Sequence, residues 1–403
     1  MKMPLSGLTI CLVFALLVAC APAATLTVAK GAGTGKESLS LADLQSSGEW
    51  GQLFALTLKG DLERSGWFVV GTGKYETLRV SGAAQGGPGG LRTQIEVVWP
   101  GGRFAWAEVS RDPREVRWQA HRLNDEIIRR VLGKTGMAAT RLAMIGKHDG
   151  SDIYLCDSDG TGLVRLTQDR VTCLSPYWHP TGSHLFYTTF LRGFPCIYRV
   201  PTAGGSRTPL AQFTGLNTGG AVSPDQKLMA LILSLPGNPE LYILNLETRR
   251  LTRLTQTPRA AEASPCWSPD GQSIAYVSDA SGSPQIYVMD AQTKRPRRLT
   301  LQGRENVAPT WGPDGRIAFS TRQNGYQIAV IDPATGAGTV LTSGPDHEDP
   351  SWAPDGRHII CSRSEGRGRS TLLVLDTEDR TQVPLFTRDG HWVSPEWSTR
   401  LAK

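Results

Sequence analysis

The sequence predicts an all-β six-bladed propeller, built on WD-like PxWSPDG repeats, with a small N-terminal α/β domain in front of it. Three observations carry this. The chain aligns on itself: PYWHPTG at 176, PCWSPDG at 265, PTWGPDG at 309 and PSWAPDG at 350 are one motif, with a degenerate AVSPDQ at 221 and a final PEWS at 395. Two ladders run in step with it. One is Ile153-Tyr154, Ile197-Tyr198, Leu241-Tyr242, Ile286-Tyr287, Ile328-Ala329 and Leu372-Leu373; the other is Leu166-Thr167, Leu210, Leu254-Thr255, Leu299-Thr300, Leu341-Thr342 and Leu385. Between these landmarks lie short β-branched or aromatic runs, bounded by Gly, Pro, Asp and Ser, that read as strands.

The equivalent positions Trp178, Val222, Trp267, Trp311, Trp352 and Trp397 recur every 41 to 45 residues, the length of a four-stranded blade. In the SPDG turn, proline presets φ, aspartate bonds nearby backbone and glycine accepts a positive φ, which gives a tight reversal between the first two strands. The tryptophan before it closes the innermost strand, where a large ring fills the gap to the next blade. That makes the motif structural rather than metal-binding or catalytic. The last repeat supplies only one strand, around Trp397. Its three missing partners are found at the start of the array, in Arg141–Ile145, Ile153–Cys156 and Leu163–Thr167. Five whole blades and one composite blade then close the ring and leave no open sheet edge.

Before the propeller, assigned to 139–403, residues 24–138 lack the repeat. Trp50 to Ser65 has helical apolar spacing and stops at Gly66, followed by a strand at Trp67 to Val70. Leu91 to Val109 reads as two strands joined at Pro100-Gly101-Gly102, and Val116, Ala120, Leu123, Ile127 and Val131 mark one face of a second helix ending at Gly133. Gly71 to Gly90 is too rich in glycine for an element to be assigned. Residues 1–23 read as a signal peptide: Lys2, an apolar run from Gly7 to Ala19, then small residues. Cleavage between Ala23 and Ala24 would release the mature chain, while Leu17-Val18-Ala19-Cys20 also fits a lipobox that would leave a lipid on Cys20. Both routes stay open.

Composition and motifs exclude several functions. A net charge of +6 spread over 403 residues, with no basic run longer than Lys294 to Arg298 broken by Pro296, does not make a nucleic-acid surface. Cys156, Cys173, Cys196, Cys266 and Cys361 show neither CxxC nor paired spacing, so they read as buried strand residues rather than zinc ligands or a disulfide framework. Gly31 to Lys36 resembles a phosphate loop but has the wrong glycine spacing, and Glu37 stands where Ser or Thr is needed. Propellers with this repeat also occur fused to serine peptidases, but the sequence holds no GxSxG and no HExxH. His179, in place of the usual serine of the turn, reads as tolerated variation. No catalytic residue, metal ligand or cofactor site is assigned.

What remains is a binding surface. Loops leading from the fourth strand of one blade to the first of the next converge on the channel mouth, and five residues before each landmark stand Cys173, Asn217, Glu262, Asn306, His347 and Trp392, with Glu348 and Asp349 alongside. They are either solvated loop residues or, as a ring, the best candidates for partner contact.

The order of signal peptide, short α/β domain, the segment LNDEIIRRVLGKTGMAATRLAMI (123 to 145) and PxWSPDG blades resembles the TolB family, the periplasmic components of Tol-Pal systems. The extended start ATLTVAKGAGTGKESLSLADL (24 to 44) points the same way. The Gly-rich 71–90 stretch departs from it, because the family has a further helix and strand there. The resemblance implies a non-enzymatic, monomeric, periplasmic adaptor, or one lipid-anchored through Cys20, without a membrane span. It implies that the propeller binds a Pal-like lipoprotein and that the extended N-terminus, Thr25, Leu26, Thr27, Val28 and Lys30 among it, binds a TolA-like inner-membrane protein. The alternative is a secreted propeller that holds a small ligand, glycan or calcium in its channel.

Overall fold

The computed structural model describes residues 36–71, 76–148, 150–386 and 390–399. The expectations for the signal peptide, Cys20, the Ala23–Ala24 junction and the tail from Thr25 to Lys30 lie outside the described residues.

The N-terminal sheet contains β1 (Glu37–Ser40), β2 (Leu44–Ser47), β3 (Phe68–Gly71), β4 (Leu78–Gly87), β5 (Gly90–Trp99) and β6 (Gly102–Ser110). β1 lies parallel between β3 and β4, β2 also runs parallel to β4, and β4, β5 and β6 form an antiparallel meander. Helices α1 (Gly48–Arg64) and α2 (Glu115–Leu132) pack against it. Phe54, Leu58 and Leu62 of α1, and Val116, Ala120, Leu123 and Ile127 of α2, share one buried cluster with Leu39, Leu78 and Val97 of the sheet. The helical periodicity expected from the sequence is the spacing of these contacts.

The Gly-rich stretch departs from expectation. It supplies β4, a ten-residue strand, and glycine is what lets α1 approach it so closely. A Cβ on Gly51 would stand 2.2 Å from the Ala84 carbonyl oxygen, and one on Gly86 would stand 2.9 Å from the Gly51 nitrogen. Low strand propensity here is offset by backbone contact between helix and sheet.

α2 ends at Gly133 in the left-handed conformation, φ +66°. The linker after it is pinned by buried Asp125, whose two carboxylate oxygens accept the Ala138 and Ala139 N–H groups at 3.0 Å each. The first propeller strand follows at Arg141.

Five blades are four-stranded antiparallel sheets in sequential order: 173–211, 217–253, 262–298, 305–340 and 347–384. The sixth is composite, as expected: Trp392–Trp397 pairs with Arg141–His148, which continues into Gly150–Asp157 and Val164–Arg165. The first strands of all six blades touch one another in a closed ring. Two of the repeated indoles also tie neighbouring blades together. Trp178 Nε1 donates to the Glu396 carbonyl of the sixth blade and Trp267 Nε1 to the Ala221 carbonyl of the second, each at 3.0 Å. The PDG turn forms as expected: in the third blade the Gln272 N–H donates to Asp270 Oδ1 at 3.0 Å and Gly271 has φ +70°.

The N-terminal layer is fastened to the turns of the fifth and sixth blades by charge. The Arg357 guanidinium, 3% exposed, stacks on Trp67 with its carbon 4.4 Å from the ring centre and bonds Asp376 through Nε and Nη2 at 2.9 and 2.7 Å. Lys36 pairs with Asp379 at 2.5 Å. Beside them, buried His121 of α2 bonds Asp61 of α1 through Nδ1 at 2.6 Å, and Arg117 bonds Asp159 of the sixth blade.

Candidate functional site

The channel is built by a repeated irregularity. In every innermost strand the pairing shifts register around the residue before the PxW proline or its equivalent. Ser175, Ser264, Ala308, Asp349 and Ser394 stand there with φ between +47° and +53°, and the second blade has Gly219 at +85°. Left-handed non-glycine residues cost roughly 1 kcal/mol or more, so their recurrence marks a bulge built into the repeat. These five residues line a channel cavity of about 540 Å³, walled by the prolines and tryptophans of the repeats.

Two carboxylates enter that cavity, and no basic side chain lines it among the described residues. Asp349 accepts a hydrogen bond from Ser394 Oγ at 2.9 Å, yet burial still holds its carboxyl above the ordinary range. Burial pushes Glu396 up to about 8 despite its contact with Ser351. Desolvation without a counterion favours the neutral acid. The sequence carries a signal for Glu396: the residue before each landmark is Tyr177, Ala221, Cys266, Thr310 and Ser351, so one acid stands at an otherwise uncharged position.

The opposite mouth corrects the picture drawn from sequence. Asn217, Glu262, Asn306, His347, Trp392 and Cys173 are not solvated loop groups; each is at most 2% exposed. Asn217 donates through Nδ2 to the carbonyls of Phe213, Gly215 and Pro195 and accepts the Phe213 N–H at 2.8 Å, which locks the loop. Asn306 donates to Gln285 Oε1 at 2.8 Å, His347 donates from Nδ1 to the Pro345 carbonyl at 2.7 Å, and Trp392 packs edge-on against Tyr154. Glu348 is half-exposed, as is Asp349 beside it, and the Glu348 carboxyl is raised by burial and by Asp349 and Asp346, with Lys147 opposing. Side chains at or next to the start of each innermost strand point into the blade, a direction that sequence spacing alone does not distinguish.

Glu262 is nonetheless unusual. It accepts from Thr257 Oγ1 at 2.9 Å and Ser278 Oγ at 3.0 Å, and the same Thr257 hydroxyl lies 3.2 Å from Glu240. Burial, with Glu240 beside it, pushes Glu262 up to about 7. Glu240 belongs to a series the sequence reading missed. Asp152, Glu240, Gln285 and Gln327 stand at or near the start of third strands, and threonines of the second ladder bond three of them. Thr167, Thr300 and Thr342 donate to Asp152, Gln285 and Gln327 at 3.0, 2.8 and 2.8 Å, and accept the following backbone N–H. The signal was present: an acid or amide precedes the Ile-Tyr ladder at each of these positions.

One cluster has metal-ligand composition, Asp61, His121 and Asp159 at the domain seam. Guanidinium groups already supply its positive charge, with Arg64 2.5 Å from Asp61 and Arg117 on Asp159. Burial disfavours the imidazolium, but Asp61 and Asp159 outweigh it and hold His121 above its ordinary value. This is a structural ion network. Among the described residues the five cysteines are free, and four of them are buried.

Together these features define a closed six-bladed propeller scaffold with a composite blade, ion-paired to a small α/β layer. The chain belongs to the TolB β-propeller family, whose domain model matches residues 128–401. It is 29% identical over 302 residues to the Tol-Pal system protein TolB of Francisella tularensis, covering 71% of this chain and 69% of that one. It is 31% identical over 236 residues to the TolB of Bordetella pertussis, covering 53% and 54%; the chain thus spans about half the length of several curated relatives it matches. The crystal structure of TolB from Acinetobacter baumannii superposes with a TM-score of 0.79 at 25% identity, covering 91% of this chain and 97% of that one. No helix among the described residues is long and apolar enough to cross a membrane.

Proposed function

We propose that this chain is a non-enzymatic adaptor of a Tol-Pal type envelope system, working in the periplasm and supporting outer-membrane integrity and cell division. The observation that carries the reading is the match to TolB proteins on both levels, in sequence and across nearly the whole Acinetobacter structure. In this reading a Pal-like lipoprotein docks at the mouth whose loops are locked by Asn217, Glu262, Asn306, His347 and Trp392. Rigid loops present a preformed surface that costs little ordering on binding, and Glu348 is a charged group there that a partner can reach. The segment 24–35, ahead of the first described strand, adds to the sheet edge of a TolA-like partner.

The test is capture from envelope extract with the mature chain. Glu348→Arg should lower recovery of the Pal-like lipoprotein at least about tenfold and leave the TolA-like protein in place. Removing 24–35, which spares the Lys36–Asp379 pair, should do the reverse. Equal loss of both partners in either variant would break the assignment. A small ligand in the channel is the second reading, favoured by the 540 Å³ cavity with Asp349 and Glu396 in it; native mass spectrometry of the isolated protein would register such a ligand directly.

A further inference from the structure

The first blade departs from its siblings in one turn. Four blades carry aspartate between their first two strands, at Asp225, Asp270, Asp314 and Asp355, whereas the first reads His179-Pro180-Thr181-Gly182 and its second strand opens on His184. The exchange removes a carboxylate and adds the His179 imidazole beside His184, whose place is taken in the fifth blade by His358. Their rings stack, with centroids 4.4 Å apart and planes inclined by 28°. Each is anchored through Nδ1: His179 accepts the Thr181 N–H at 3.3 Å and lies 2.7 Å from Thr181 Oγ1, and His184 lies 2.8 Å from Ser183 Oγ. Accepting at Nδ1 leaves the His179 proton on Nε2, as a free donor.

These rings line a crevice of about 490 Å³ between the first and second blades, shared with Phe186 and with two arginines, Arg199 of the first blade and Arg249 of the second. The Arg249 guanidinium is fixed by the Leu210 carbonyl. No carboxylate lines the crevice among the described residues. Of the charged groups adjoining it along the chain, Asp225 is engaged by Ser223 Oγ and the Lys227 N–H, and Lys227 and Glu247 flank the lining residues Gln226 and Leu246. Burial, the other imidazole and Arg199 together push His184 down to about 4, and burial with Arg199 lowers His179 as well. Two guanidinium groups with no carboxylate in the lining give the site a positive potential, and the two imidazoles between them, held below their ordinary value, gain from a proton only when an anion enters.

We propose that this crevice binds a phosphate-type oxyanion, free or as a lipid headgroup, and that binding draws a proton onto the imidazole pair. Two guanidinium forks and two ring N–H donors match the several oxygens of a tetrahedral oxyanion better than the two of a carboxylate. The proton comes from solvent and rests on a ring nitrogen; no bond to the anion forms.

Calorimetry of the full mature chain tests this with sodium phosphate against sodium chloride at matched ionic strength. Sulfate is titrated in parallel, because its charge is constant across the pH range used. One site per chain is expected, with sulfate bound about tenfold more tightly at pH 6 than at pH 8 when a proton is taken up. The double substitution His179→Ser, Thr181→Asp restores the sibling turn, which folds in other blades of this same chain, and should abolish binding with melting temperature unchanged. Absence of binding at pH 6, or undiminished binding in that variant, overturns the proposal. Co-sedimentation with phosphatidylglycerol vesicles, but not phosphatidylcholine ones, and its loss in the same variant, assigns the lipid headgroup; calorimetric binding without sedimentation assigns the free anion.

Discussion

The propeller channel and the seam between the α/β layer and the blade turns both withdraw carboxylates from water, and with opposite outcomes. In the channel, Asp349 and Glu396 meet hydroxyls, and burial raises both above their ordinary values, with Lys147 opposing at Asp349. At the seam, burial is outweighed by opposite charge. Asp159 faces His121, Arg117 and Arg64, Asp355 faces His358, and Asp376 bonds Arg357; all three sit below their ordinary values. Desolvation is common to both regions, so the partner decides the sign. The seam acids contribute stability that is present above the unfolded value and lost as pH falls through the depressed ones. The channel acids contribute stability present below the unfolded value and lost as pH rises through the raised ones.

The largest expected effect comes from breaking the seam. Arg357→Ala leaves Asp376 buried without its cation and removes the stacking partner of Trp67, which should cost about 3–5 kcal/mol in urea unfolding. A loss under about 1 kcal/mol would mean that the seam is solvated and that its resemblance to a buried ion network is only geometric. Next is Glu396→Gln in the channel. The amide keeps the shape and removes the acid that must ionise between its ordinary value and about 8, so the variant should be more stable than the parent at pH 9 by about 1–3 kcal/mol and indistinguishable from it at pH 5. Equal melting temperatures for parent and variant at pH 9 would show that a cation or water relieves the ionised carboxylate.

The same contrast explains what the sequence revealed. The blades, the composite closure and both helices were legible because repetition and periodicity encode them: Trp178 and its equivalents mark each innermost strand whatever surrounds them. The rim was not. Asn217, Glu262 and His347 look like surface groups in a turn-rich loop, and only the strand pleat, with the backbone bonds they make, turns them inward. The strand at 78–87 was hidden for a related reason, since its glycines answer to α1 and not to strand propensity. The seam depends on contacts far apart along the chain, such as Asp61 with His121 and Asp159. No local pattern records such contacts.

His121 gives the smallest and sharpest form of the comparison. Its folded value is raised, with burial overcome by Asp61 and Asp159. The stability it contributes is therefore fully present below its unfolded value, about 6.5, and is lost as pH rises through the folded one. His121→Gln keeps a donor near Asp61 but cannot take the charge. It should cost about 1 kcal/mol more at pH 5.5 than at pH 9, read as the difference between two urea titrations of parent and variant. Glu396→Gln moves in the same sense, because both folded values are raised: in each case the parent loses stability relative to its variant as pH rises. An opposite sense in either variant would mean that the folded value of that group is not raised and that the partners around it do not set its titration.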